Sequence, residues 1–121
     1  MKSVIETNPH GKAIALAVPE YVWAQIQMLR SAIANGLRVE VFYPVRGKAA
    51  AFPATIDSRV IVPESVGITL DNHWVVRGKR VDTGEHRCYH VAMICGLAVS
   101  GHDGQVVQSS CAFTPDNGYA L

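Results

Sequence analysis

A mainly β fold with one main helix is what this sequence predicts, and three observations predict it. Short stretches that alternate apolar and polar residues dominate the chain, one stretch near the start carries apolar residues at helical spacing, and Gly, Pro and Asn clusters separate them. The length of 121 residues and a hydrophobic content of 49% suit one core. Charged residues make up 17%, against a usual value of roughly a quarter, and the net charge is +1, so any electrostatic attraction must be local.

Residues 3–18 hold two extended runs around Asn8-Pro9-His10-Gly11, and in the second Ile14, Leu16 and Val18 alternate with small residues, which predicts a hairpin. From 19 to 34, Val22, Ile26, Leu29 and Ile33 recur at helical spacing beside Trp23; Pro19 suits the first turn and Asn35-Gly36 the stop. The period then becomes two. Leu37, Val39, Val41 and Tyr43 fall on one face and Arg38, Glu40 and Phe42 on the other, a strand with one side buried. Residues 44–58, with two prolines, a glycine and the cations Arg46 and Lys48, read as a long loop, the kind that carries function. A second strand starts at Arg59, bends at Pro63 and continues over residues 66–70. Residues 71–94 supply the third and fourth strands, joined at Thr83-Gly84. After Ile94 the pattern weakens, leaving a short final strand at 105–107 and a frayed tail over 114–121.

The first eighteen residues lack the apolar stretch of a signal peptide, and no run approaches the roughly 18 apolar residues of a membrane span, so a soluble cytoplasmic protein with no membrane partner is expected. Cys88, Cys95 and Cys111 are odd in number and form no C-x-x-C pair. Reduced thiols are therefore expected, rather than a disulfide framework or a zinc ribbon.

Segment 71–94 concentrates Arg, Lys and His among apolar residues. A two-residue turn would pair Val76 with Val91 and Gly78 with Tyr89. One face then carries Trp74, Val76, Gly78 and Arg80 beside Met93, Val91, Tyr89 and Arg87, apolar with a basic end. The other carries His73, Val75, Arg77 and Lys79 beside Ile94, Ala92, His90, Cys88 and His86. Guanidinium groups grip phosphate bidentately and an aromatic ring is a platform for a base, so this composition has the chemistry of a nucleotide site. The plainer alternative is a solvated hairpin: Trp74 runs in phase with Val76 as core, Arg59 pairs with Asp57 or Glu64, and Arg87 pairs with Glu85 or Asp82.

Two enzyme-like signals are weaker. His86, Cys88 and His90 share a strand face, where a neighbouring His-x-Cys pair can chelate one metal, but all three span about 13 Å, too far for one zinc ion, and a fourth ligand would have to come from His73 or elsewhere. Cys88 has no aligned base and no orienting third group. With no Gly-rich phosphate loop, carboxylate pair or Ser-centred elbow, no catalytic residue, metal ligand or cofactor is assigned.

The order of segments resembles the WYL domain, a bacterial regulatory module named for a Trp-Tyr-Leu tripeptide. In that family a strand ending in Tyr precedes an Arg four residues before a Pro. The tripeptide strand carries Ala or Gly two places after its Leu, and an Arg-x-Phe-x-Leu-x-Arg-Ile strand closes the motif. Here these are Tyr43, Arg59 with Pro63, Trp74-Val75-Val76 with Gly78, and Arg87-x-Tyr89-x-Val91 with Ile94, over about residues 29–97. Met93 replaces the second Arg of the closing strand and removes one cation from the family's site.

The resemblance implies a small Sm-like or SH3-like β-barrel of about five strands behind the helix, with residues 1–18 an N-terminal extension, 19–100 the helix and barrel, and 101–121 a C-terminal strand and tail. It implies ligand sensing in transcription regulation, with a nucleotide or single-stranded nucleic acid as ligand. Tyr43, Arg59, Trp74, Arg87 and Tyr89 are the ligand-facing residues it carries over; Arg77 joins them from the face pattern above. The family's usual N-terminal winged helix-turn-helix has no counterpart in the one helix ahead of the first strand, so a stand-alone sensor, or one serving a partner protein with a DNA-binding domain, is expected. Two other readings stand beside it: an oligomeric protein-interaction module, since exposed edge strands pair readily, and a small metal- or thiol-dependent enzyme. A homo-oligomer is expected in either of the first two.

Overall fold

The computed structural model describes residues 1–44 and 56–111. Arg46 and Lys48, expected to be solvated or else to close over an anion, and the expected frayed tail lie outside these residues. Strands β1 (Lys2–Thr7) and β2 (Ala13–Val18) form the expected hairpin, and α1 follows at Glu20–Asn35. Then come β3 (Arg38–Pro44), β4 (Ile56–Ile68), β5 (Trp74–Arg80), β6 (His86–His90), a 3-10 turn at Val91–Met93, β7 (Gly96–Ser100) and β8 (Val106–Cys111). Six strands pair antiparallel in the order β6-β5-β4-β3-β7-β8.

The family resemblance implies a barrel of about five strands; among the described residues the strands instead form an open six-stranded sheet and a separate two-stranded one. Part of the difference is the stretch after Ile94. Leu97 and Val99 are buried in β7, but Gly96, Ala98 and Ser100 between them dilute the apolar pattern on which the expectation rested.

Helix α1 covers the inner face of the larger sheet. Val22, Ile26, Met28, Leu29 and Ala32 meet Val39, Val41, Ile61, Ile68, Trp74, Val76, Leu97 and Val99 in one core. The long strand β4 lies between β3 and β5 and keeps its apolar side inward by skipping one residue. Pairing shifts between Pro63 and Ser65, leaving Glu64 as a bulge, so that the inward set changes from Ile61 and Pro63 to Val66 and Ile68. Without that extra residue the second half would turn its apolar side to water.

The β5–β6 turn also differs from expectation. Arg80 and Glu85 close it, the Arg80 N–H reaching the Glu85 carbonyl at 2.8 Å, and Gly84 takes a φ of 77°, which a side chain would strain. Val76 therefore pairs with Tyr89 and Gly78 with Arg87. The slip is two residues, an even number, so every side chain stays on its predicted face until the 3-10 turn. That turn breaks the alternation, and Ile94 enters the core while Met93 is exposed.

Candidate ligand site at one end of the sheet

The inner face changes character along its length. Under α1 it is apolar, and toward the far end of β5 it becomes polar. There Tyr43 lies near the end of β3, Asp57 and Arg59 near the start of β4, Arg80 ends β5, and Arg87 and Tyr89 project from β6. The alternation that buries Val39 and Val41 also brings Tyr43 inward, and Trp74, Val76 and Gly78 do the same for Arg80.

Strands β3 and β6 are separated by two others and would stand about 14 Å apart in a flat sheet. Yet the rings of Tyr43 and Tyr89 are 5.3 Å apart between centroids, at 45°. Coiling of the sheet makes that contact. Gly78 assists it: a Cβ there would sit 2.9 Å from the Val62 carbonyl oxygen and 3.0 Å from Ile61 Cδ1, so only glycine allows β5 to lie this close to the β4 bulge.

A cleft of about 450 Å³ opens beside the ring pair, lined by Tyr43, Pro44 and Asp57 on one side and Cys88, Tyr89 and Met93 on the other. A smaller one of about 300 Å³ is bounded by Glu40, Ser58, Arg59 and Asp82. Burial raises the Tyr89 phenol above its ordinary value, with Tyr43 adding to the effect, while Arg80, Arg59 and Arg87 pull it back down. All three guanidinium groups are thus within electrostatic reach of that ring.

Each of these cations already has an anion two residues away. Arg59 Nη1 donates to Asp57 at 2.9 Å, Arg80 holds Asp82 through Nε and Nη2 at 3.0 and 2.7 Å, and Arg87 reaches Glu85 at 3.4 Å. Asp57 lies below its usual range because the Ser58 N–H and then Arg59 stabilise its charge; Asp82 does so chiefly through Arg80. The end of the sheet is therefore rich in charge but balanced.

Of the residues expected to face a ligand, Tyr43, Arg59, Arg87 and Tyr89 converge here. Trp74 does not. It is 8% exposed, edge-on to Trp23 at 6.3 Å, with the Arg30 guanidinium 5.5 Å from its ring centre. Arg77 is exposed on the opposite face, across from Cys88. Arg80 belongs to the group although only its place at the basic end of the face marked it in the sequence; its side chain is 16% exposed. On the outer face His73 and His90 lie 5.7 Å apart and His86 meets Glu64 at 3.3 Å. Among the described residues no three His, Cys, Asp or Glu side chains gather as a metal set, and no helix is long and apolar enough to cross a membrane.

Comparison with protein-family models, with curated proteins and with solved structures gave no match.

Proposed function

We propose that this protein is a WYL-like sensor module whose cleft beside Tyr43 and Tyr89 binds a nucleotide or a short single-stranded nucleic acid, and which passes that signal to a partner carrying a DNA-binding domain. One observation carries the reading: two tyrosine rings in contact border a cleft of about 450 Å³, and three arginines from three adjacent strands, outside the cleft lining itself, act on Tyr89 through their charge. That volume lies within the range of small-ligand sites, and the combination of ring and guanidinium suits a base joined to phosphate. The coiling of five consecutive strands behind a helix, with the fifth (β7) beside the first (β3), supports the finer fold reading of an Sm-like or SH3-like barrel.

The paired carboxylates define how such a ligand binds. A phosphate takes the place of Glu85 on Arg87 and of Asp57 on Arg59, exchanging one charge-assisted contact for another. Anisotropy of fluorescent single-stranded DNA and RNA, with mononucleotides as competitors, tests this at low and moderate salt. Saturable binding that weakens with salt and falls at least about tenfold in Arg87→Ala and in Tyr43→Ala is expected. No binding of any probe at tens of micromolar, or binding indifferent to both changes, overturns the reading.

A further inference from the structure

Strand β6 ends the larger sheet and, among the described residues, pairs only with β5. The bond from Arg80 N–H to the Glu85 carbonyl sets the phase of that ladder: Gly78 and Arg87, then Val76 and Tyr89, are the hydrogen-bonded pairs. The alternate residues His86, Cys88 and His90 consequently turn their N–H and C=O groups away from β5, along the outer edge. There is no Pro, Gly, Lys or bulge between His86 and His90 to block pairing, and the one fixed charge of this short strand, Arg87, lies on the inner face.

The strand His86-Arg87-Cys88-Tyr89-His90 also reads nearly the same in both directions about Cys88. We infer that β6 pairs antiparallel with β6 of a second copy of this chain, the two-fold axis passing through Cys88. His86 then faces His90 of the second copy, and the three outward positions of each strand exchange about six backbone hydrogen bonds. Arg87 faces Tyr89 of the second copy on the inner side, a guanidinium against an electron-rich ring, and no fixed like charges oppose one another. The opposite edge has no such symmetry: β8 carries a register shift opposite Val99 and Ser100, and its sequence does not read back on itself.

This interface stands whatever the cleft binds, but it bears on the cleft. Each Tyr43–Tyr89 pair gains a cation, Arg87 of the second copy, at its β6 side. The axis also leaves a mark that can be trapped. Two Cys88 residues in a hydrogen-bonded pair have Cα atoms about 5.5 Å apart, within the Cα range of a disulfide, a small inward shift of the strands brings the Cβ atoms from about 5 Å to bonding reach, and Cys88 is exposed in a single copy.

Sedimentation equilibrium of the reduced chain, followed by mild oxidation and peptide mapping, tests the proposal. A monomer–dimer equilibrium and a cross-link from Cys88 to Cys88 are expected. Cys88→Ser should lose the cross-link and keep the dimer. Cys88→Asp, which opposes itself across the axis but remains solvated in one copy, should lose the dimer and keep its thermal unfolding profile. A monomer at hundreds of micromolar overturns the inference, as do an assembly larger than a dimer, a cross-link through another cysteine, or a dimer indifferent to Cys88→Asp.

Discussion

Tyr89 joins the core to the proposed ligand. Its ring touches Tyr43, and burial holds its phenol above the ordinary value of 10.0 against the pull of Arg80, Arg59 and Arg87. For a group whose folded pKa is raised, the stabilising term is fully present below the unfolded value and is lost as pH rises through the folded one. The protein should therefore lose stability on the alkaline side of that window, and Tyr89→Phe should lose less than wild type between neutral and alkaline pH; urea midpoints at both give the comparison. Gly78 offers a sharper case. Its absent side chain is required by backbone, with Val62 O at 2.9 Å and Pro63 Cα at 3.2 Å from where a Cβ would lie. Gly78→Ala should cost about 2–3 kcal/mol in urea unfolding, since neither neighbour is the tip of a flexible side chain. An unchanged midpoint would mean that β4 shifts freely there.

The elements show what could be read from the sequence and what could not. Helix α1 was legible because Val22, Ile26 and Leu29 share one stripe and Pro19 and Gly36 bound it, all local signals. The faces of β5 and β6 were legible because their parity survives an even slip; the register was not, because it depends on which residues close the turn. Trp74 shows a different limit. Alternation places it inward but cannot say whether it meets a ligand or, as here, Trp23 and Arg30. Arg80 could have been assigned from the alternation that sets it beside Arg87 at the basic end of one face, whereas Arg87 itself was assigned from the family resemblance.

Gln25 escaped notice for a related reason, being one polar residue on an otherwise apolar helix stripe. It is 1% exposed, and its Nε2 donates to the carbonyls of Val91 and Ile94 at 3.4 and 3.2 Å, fastening α1 to the 3-10 turn. Gln25→Leu removes both donated hydrogen bonds, although it also removes a buried Oε1 that has no hydrogen-bond partner among the described residues. A net loss of about 1–2 kcal/mol is expected. Amide hydrogen exchange should quicken at Ile94 and Cys95 before it does elsewhere, and uniform protection would show that the turn holds itself.

At the scale of the molecule, an open sheet has two ends with different fates. One, at β6, is self-complementary and adjoins the proposed cleft; the other, at β8, exposes Val106 and Val107. Tyr43, Pro44 and Asp57 line the cleft from β3 and β4, strands that also build the core under α1, so one wall of the cleft is mounted on the stable part of the fold, while Cys88 and Tyr89 come from the edge strand β6, which buries no residue fully. The N-terminal hairpin is tied to it through Glu6 and Arg30, 3.0 Å apart, and through Val18 at the end of β2.

The long strand β4 has one more consequence. Its first half pairs with β3 and its second with β5, so the two wings of the sheet, β6-β5 and β3-β7-β8, are held together along a single covalent stretch that belongs to both. Neither wing owns its central strand. A division of the larger sheet into independently melting parts would have to tear β4 from one of its neighbours, and heating should therefore meet one enthalpic barrier to disassembly of that sheet rather than a sequence of smaller ones.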